Sequence, residues 1–307
     1  MVTTINGYSN VFFDESSDYN FSEVNERKYV LKFIYLLKTE FNEKFEQFHF
    51  YFLFSHNDKI LPNSSKIKND KKILFWFSDE SCDFPQHLIH NYFKIFKSYI
   101  KLERGNVFTN HLGYVNEYED FVNKNKKDIE LFFSGNLNKN RIKYYKHIIQ
   151  KKYKALKFIN NNYFYFKLFR FFKKITLGNG KIVFYFTDGF KKGLPYNQYM
   201  NYISRSKIVF CPKGFNSPET FRHYEGLANN CIIVSESLPN TALYLNNPFI
   251  IIRDEKELGI LIDIIIFNKL NIDQLRYNHE HYFREVYSID SFVRRVFNIC
   301  SENLVLK

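Results

Sequence analysis

The chain has four cysteines, Cys82, Cys211, Cys231 and Cys300, and no two of them have a paired spacing. It contains no C-x-x-C or H-E-x-x-H cluster, which argues against a structural zinc. Cys211 and Cys231 fall in apolar segments and read as small core residues of a reducing compartment. No G-x-x-x-x-G-K-[ST] and no G-x-G-x-x-G is present, so kinase, ATPase and dinucleotide-binding readings lose support. Long apolar runs are missing too. Leu258 to Phe267 is the most apolar stretch, yet it is too short to span a bilayer and carries Asp263. The first residues, Met1 to Asp18, lack the basic start and apolar centre of a signal peptide. The expected location is cytoplasmic, or peripheral on the inner face of the membrane.

What is present is a globular composition of 307 residues, 45% hydrophobic, enough for two medium domains with a core each. There are 36 Phe and 23 Tyr beside abundant Lys, Asn and Ile. An AT-rich genome produces that mixture without functional cause, so aromatic stripes carry little weight alone. The formal charge of +12 favours an anionic partner: nucleotide phosphate, nucleic acid, acidic lipid or acidic glycan.

Strand and helix patterns alternate along the chain, which predicts a parallel α/β protein. Residues 1–20 read as loop or a short first strand. Val24 to Phe45 has helical spacing, His49 to Ser55 and Lys72 to Ser78 read as strands, Gln86 to Lys101 as a helix, and Val107 to Asn110 as a short strand. The charged stretch 115–128 suits a linker. Beyond it come a strand from Ile129 to Phe133, a helix from Lys139 to about Leu156, an aromatic and basic stretch to Ile175, a strand from Lys181 to Thr187 and a helix from Gln198 to Arg205. After residue 236 a strand at Phe249 to Ile252 and helices at Glu255–Asn268, Asp273–Arg284 and Ser288–Cys300 complete the chain.

The densest signal runs from Ser206 to Glu236. A buried strand (Lys207 to Cys211) leads through a Pro/Gly/Ser/Asn loop to a helix, and a second buried strand (Cys231 to Ser235) follows. That order builds a parallel βαβ unit with a loop and a helix N-terminus at the carboxyl edge of the sheet, where phosphates bind. Ser217 reads as the N-cap and Pro218 as the first helical residue. Arg222 and Glu225 share one helix face. An arginine there can fork onto a diphosphate, and a glutamate can accept two ribose hydroxyl hydrogens.

At Pro212, Gly214, Ser217, Pro218, Arg222, Glu225, Gly226, Ala228, Cys231 and Val234 the chain resembles the exostosin-like glycosyltransferases. Asn229-Asn230 stands where that family has a small-residue turn, and Ile233 where it has proline. Residues 73–80, 106–114 and 130–142 are similar to further segments of the family in the same order, so the resemblance covers roughly residues 72–240. It implies an α/β protein of the GT-B fold, two Rossmann-like parallel-sheet domains facing a central cleft. Residues 1–124 would bind the acceptor and 125–285 the nucleotide-sugar donor, with 286–307 packing back on the first domain. It implies transfer of a sugar from a nucleotide-diphosphate sugar to a hydroxyl of a glycan or lipid-linked acceptor, inverting by analogy, in surface polysaccharide or glycolipid synthesis.

Within that frame Glu225 is the candidate for the ribose, against a plain helix-face glutamate paired with Arg222. Arg222 and Arg141 are candidates for the diphosphate, with Lys213, Gly214 and Ser217 in the signature loop; surface charge is the alternative for each arginine. Asp79 and Glu80, after a hydrophobic strand, are candidates for the base that takes the acceptor proton, or else caps of a following helix; His111 competes with them. Asp-x-Asp, the metal-holding pair of the other common glycosyltransferase fold, is absent, which fits a mechanism without metal or other cofactor. Pro218-Glu219-Thr220-Phe221 resembles a segment of α1,3-fucosyltransferase-like enzymes. On that reading Glu219 matters more and the donor is a GDP-sugar. The segment 151–175 mixes Lys/Arg with aromatics and reads as a packed amphipathic helix, an anionic-membrane patch, or a single-strand nucleic-acid surface. A non-catalytic nucleic-acid-binding protein is the distant alternative. No nucleic-acid motif supports it, and no nucleic-acid partner is expected.

Overall fold

The computed structural model describes residues 2–4, 7–14, 21–54, 71–77, 86–115, 117–118, 126–189 and 192–301. They form two compact units. One comprises residues 1–116, 239–246 and 284–307, the other 117–238 and 247–283. The α/β expectation holds in both. Each is a six-stranded, parallel-dominated sheet with helices.

In the first unit β1 (Val2–Thr4), β2 (Val11–Asp14), β3 (His49–Leu53), β4 (Lys72–Trp76), β5 (Lys94–Lys97) and β6 (Val107–Thr109) lie side by side in sequence order. Only the β1–β2 pair is antiparallel. Strand alternation puts one phenylalanine of each neighbour in register: Phe13, Phe52, Phe75, Phe96 and Phe108. The rings of Phe52 and Phe75 are 5.1 Å apart, and those of Phe75 and Phe96 5.2 Å. Helix α1 (Arg27–Phe41) buries Tyr29, Val30, Phe33, Ile34, Leu37 and Phe41, a helical period. Its Phe33 packs on Phe75 and on Phe292 of α8 (Ile289–Ser301). The opposite face buries Tyr51, Leu53, Leu74, Trp76, Ile95 and Val107.

The helix expected over Gln86 to Lys101 is a correction. A 3-10 turn at Gln86–Asn91 leads instead into β5, all four residues of which are buried. β5 reads Lys-Ile-Phe-Lys, so only Ile95 and Phe96 mark it as apolar, too short a run to show a strand's alternation or to exclude a helical period. What resolves the ambiguity is pairing with β4 and β6, which is a tertiary fact.

The second unit contains β7 (Ile129–Asn136), α2 (Ile142–Lys152), α3 (Asn162–Phe169), β8 (Lys174–Leu177), β9 (Ile182–Thr187), α4 (Tyr196–Arg205), β10 (Ser206–Cys211), α5 (Phe221–Ala228), β11 (Ile232–Ser235), β12 (Ile250–Ile251), α6 (Glu255–Ile266) and α7 (Ile272–Tyr282). Its strand order is β12-β11-β10-β7-β9-β8, with β8 the antiparallel edge. The first sheet never reverses direction. The second does, between β7 and β10. Ligands of open α/β sheets bind at such a reversal, outside the carboxyl ends of the strands.

Helix α5 starts later than expected. Its N-cap is Thr220, not Ser217. Thr220 N–H donates to His223 Nδ1 at 3.1 Å, and His223 Nε2 reaches Ser235 Oγ at 2.9 Å, which ties the helix start to β11. The turn after α5 uses Asn230 in the left-handed region, φ 52°, a conformation asparagine tolerates. Cys211, Cys231 and Cys300 are buried free thiols. Among the described residues no helix is long and apolar enough to cross a membrane.

Gly226 lets α5 lie close on the sheet, because a Cβ there would stand 2.7 Å from Ile233 Cδ1. Gly226→Ala should therefore destabilise by about 1–3 kcal/mol although alanine is the better helix former. Urea unfolding checks this. Adding Ile233→Val, which removes the clashing methyl, should recover part of the loss; a Gly226→Ala protein more stable than wild type would contradict the close-packing argument.

Candidate functional site at the strand reversal

β7 and β10 pair only as far as Phe132 and Val209, while β7 continues beside β9 to Asn136 and Thr187. The two central strands therefore part at their carboxyl ends, and backbone carbonyls freed there need other donors. Two arginines supply them. Arg141 donates from Nε to Lys213 O at 2.9 Å, from Nη1 to Asn136 O at 3.0 Å and from Nη2 to Pro212 O at 3.3 Å. Arg222, on the first turn of α5, donates from Nε to Ser134 O at 2.7 Å. Its terminal nitrogens make no hydrogen bond among the described residues. Both guanidinium groups lie over the Phe133 ring, at 5.8 and 5.3 Å. Gly135 is what admits them, since a Cβ would stand 3.2 Å from Arg141 Nη1 and closer still to Arg222 Nη2.

The loops on either side are laced together. Asn138 Oδ1 accepts from the amides of Asn140 and Arg141 and caps the turn leading to α2. Asn140 Nδ2 donates to Gly214 O at 2.7 Å and Phe215 O at 2.8 Å. Gly214 N–H donates to Ser217 O at 2.8 Å, and the buried Ser217 hydroxyl accepts from Glu219 N–H at 3.3 Å, so Ser217 shapes the loop. At the end of β11, Glu236 accepts from Lys213 N–H at 2.8 Å and from the Tyr144 hydroxyl at 2.6 Å, with Lys143 at 3.2 Å. The Lys213 ammonium forms no ion pair among the described residues.

Glu225 is buried on the same helix. Its Oε2 accepts from the Tyr199 hydroxyl of α4 at 2.5 Å, while Oε1 makes no hydrogen bond among the described residues. Burial raises its pKa above the ordinary carboxylate range, and the Tyr199 hydrogen bond and the Arg222 charge oppose that rise. The Tyr199 hydroxyl is in turn held well above its usual pKa, by burial first and then by the Glu225 charge, so it is a donor.

The structure thus gathers Arg141, Lys213, Gly214, Ser217, Arg222 and Glu225 around one strand reversal. His111 belongs to the other unit and is fully buried. Its Nε2 lies 2.8 Å from Tyr287 O; a carbonyl only accepts, so Nε2 carries the hydrogen. Nδ1 then accepts from Gly113 N–H at 3.2 Å and the Tyr29 hydroxyl at 3.1 Å. Burial, only partly opposed by the Tyr287 carbonyl, lowers its pKa to about 3, so the ring is neutral. Asp79 and Glu80 lie outside the described residues.

Asn138, Asn140, Tyr199 and Glu236 are site residues that sequence reasoning missed. The Asn-rich run after Gly135 carried a capping signal. Nothing local to Tyr199 or Glu236 points to the partners they meet through folding.

No protein-family profile matches this chain, and no curated protein does. Among solved structures it is similar to a glycosyltransferase from Rickettsia africae ESF-5, with a TM-score of 0.48 and 12% identity over 92% of this chain and 83% of that one.

Two outcomes follow from the hydrogen bonding. Arg141→Ala strands three carbonyls and should lower stability by about 3 kcal/mol or more. Arg141→Lys should recover only part, since an ammonium cannot span the fork. A chemical-denaturation series checks both, and an alanine variant as stable as wild type would refute the cross-tie. For His111 the depressed folded-state pKa means that the unfolded chain takes up the proton first. Stability should fall as pH drops below about 6.5 and continue falling towards about 3. The denaturation midpoint of His111→Gln should depend less steeply on acid than that of wild type. Parallel profiles would exclude the linkage.

Proposed function

We propose that the strand reversal in the second unit is the donor site of a glycosyltransferase that uses a nucleotide-diphosphate sugar. The observation that carries this reading is the coincidence of the reversal with a carboxylate and a guanidinium, each half-satisfied by the protein. Glu225 is held through one oxygen by Tyr199 and keeps Oε1 for the ribose hydroxyls. Arg222 is held through Nε and keeps its terminal nitrogens for the diphosphate. Lys213 adds a point charge, and the Phe221 and Arg222 amides at the start of α5 add donors that its capping box leaves unused. Arg141 and Ser217 set the shape of the loops beneath.

On this reading an acceptor hydroxyl, from a glycan or a lipid-linked sugar, attacks the anomeric carbon. The bond from that carbon to the diphosphate oxygen breaks, and the nucleoside diphosphate leaves with its charge met by Arg222, Lys213 and α5 rather than by a metal. The hydroxyl proton is assigned to a carboxylate, Asp79 or Glu80. The buried, doubly bonded, neutral His111 is assigned a structural part instead. The transfer inverts the anomeric centre, and the product belongs to a surface polysaccharide or glycolipid.

Titration calorimetry with UDP, GDP and CMP, without metal and with Mn²⁺, tests the donor site. UDP or GDP should bind without metal, and more tightly than CMP, which has no diphosphate; Arg222→Ala and Glu225→Ala should each weaken that binding by about tenfold or more. Loss in Glu219→Ala but not in Glu225→Ala would move the donor contact to the loop. Binding of neither UDP nor GDP, under either condition, would overturn the reading.

A further inference from the structure

The net charge of the chain is not spread over it. Residues 131–187 contain 13 Lys and Arg (139, 141, 143, 146, 151, 152, 154, 157, 167, 170, 173, 174 and 181) and no Asp or Glu. All 32 carboxylates lie in the other 250 residues, where an even spread would have placed about six in this stretch. With 31 of the 44 basic residues left, the remainder of the chain carries a formal charge of −1. Codon bias enriches lysine, but it does not clear carboxylates from one segment only.

Structure adds a second observation at the centre of that stretch. Helix α3 turns Tyr165 and Phe169 into the core, and Phe164, Leu168 and Phe172 pack partly against it. Its opposite face carries Tyr163, Phe166, Lys167 and Arg170, spaced i, i+3, i+4 and i+7. The exposure there is high for aromatics: Tyr163 66%, Phe166 39%, with Phe158 at 93% and Phe171 at 81% on the flanking turns. These turns are anchored. The Tyr165 hydroxyl is shared between the carbonyls of Leu156 and Ile159 and accepts from Gln150 of α2 at 2.9 Å. Lys154, Lys157 and Arg170 are exposed and form no ion pair among the described residues.

We propose that α3 and its flanking turns form a docking surface for an anionic lipid bilayer, with Phe158, Tyr163, Phe166 and Phe171 inserting at the headgroup level and the surrounding lysines and Arg170 meeting the lipid charge. Exposed aromatics and a one-signed basic rim are the two signals that reversible anchoring needs. Single-stranded nucleic acid fits less well. Stacking sites line a groove that tracks a backbone, whereas these rings project from a short helix and two turns. The surface is independent of the nucleotide site, and its occupant would keep the enzyme beside lipid-borne molecules.

Vesicle co-sedimentation of the full chain tests the proposal, with phosphatidylcholine vesicles and with phosphatidylcholine–phosphatidylglycerol vesicles. Binding should need the anionic lipid and weaken with added salt. Phe158→Ser combined with Phe171→Ser should cut binding at least several-fold. Lys154→Glu combined with Lys157→Glu should cut it by more than the roughly fivefold expected for losing one lysine contact. Thermal melting and nucleotide calorimetry of the same variants should be unchanged, which separates this surface from the donor site. No vesicle binding, binding indifferent to lipid charge, or variants that bind like wild type would each overturn it. So would tighter capture of a single-stranded oligonucleotide that the same substitutions abolish.

Discussion

The parting of β7 from β10 is the constraint on which the candidate site depends. Up to Phe132 and Val209 the strands satisfy each other, and beyond them they cannot. A parallel sheet whose strand order reverses must open at this point, because the chain leaves the two central strands towards opposite sides. The opening leaves polar backbone in a largely buried place, where an unsatisfied carbonyl costs about 1–3 kcal/mol. Arg141 and Arg222 resolve that cost with charge-assisted donors, and in doing so they bring positive charge to the carboxyl edge of the sheet, where ligands of open α/β folds bind. On the proposed reading the two arginines divide the work by how many nitrogens the backbone consumes: Arg141 is used up on carbonyls, while Arg222 keeps its terminal nitrogens for an anion.

The first unit meets a different constraint in a different way. Its sheet runs in sequence order without reversal, so it has no equivalent opening among its described residues. Its phenylalanine row, one ring from each of five neighbouring strands, gives a continuous apolar face under α1 and α8. His111 sits at the end of that face between Tyr29, Tyr287 and Phe292, with ring centroids 5.8, 4.6 and 5.4 Å away. A histidine can be buried there because both nitrogens find partners and the ring stays neutral. The same features that suit it to the core leave neither nitrogen unoccupied for proton transfer.

Much of this architecture was legible in the sequence where periodicity and punctuation agreed. The βαβ unit from Ser206 to Glu236, with its Asn230 turn, came from a buried run, a Pro/Gly loop and a second buried run. The helix expected at Gln86–Lys101 failed because the strand there has only two apolar residues, Ile95 and Phe96, between two lysines that folding buries. Ser217-Pro218 had every local mark of a helix start, yet Thr220 took the cap because His223 can reach back to it and across to Ser235 at once. Among the site residues, spacing along α5 put Arg222 and Glu225 on one face. It could not reveal Tyr199, which reaches Glu225 from another helix, nor that Arg141 is spent on carbonyls whose exposure depends on two strands parting.

The pairing of Glu225 with Arg222 bears on how a nucleotide would be held. Burial pushes the glutamate towards its neutral form, and a neutral carboxyl is a poorer acceptor for ribose hydroxyls. The Tyr199 hydroxyl and the Arg222 charge both favour the ionised form. When a diphosphate approaches Arg222, part of the field that supports Glu225 is cancelled by the new negative charge. Ribose hydroxyls that donate to Oε1 restore that support, because hydrogen bonds to the charged form favour it. A free diphosphate lacks the ribose and would leave Glu225 less well stabilised, whereas a nucleoside diphosphate supplies both halves together. On the proposed reading, selectivity for the whole nucleotide over its phosphates arises from two groups one turn apart on a helix, without any contact to the base.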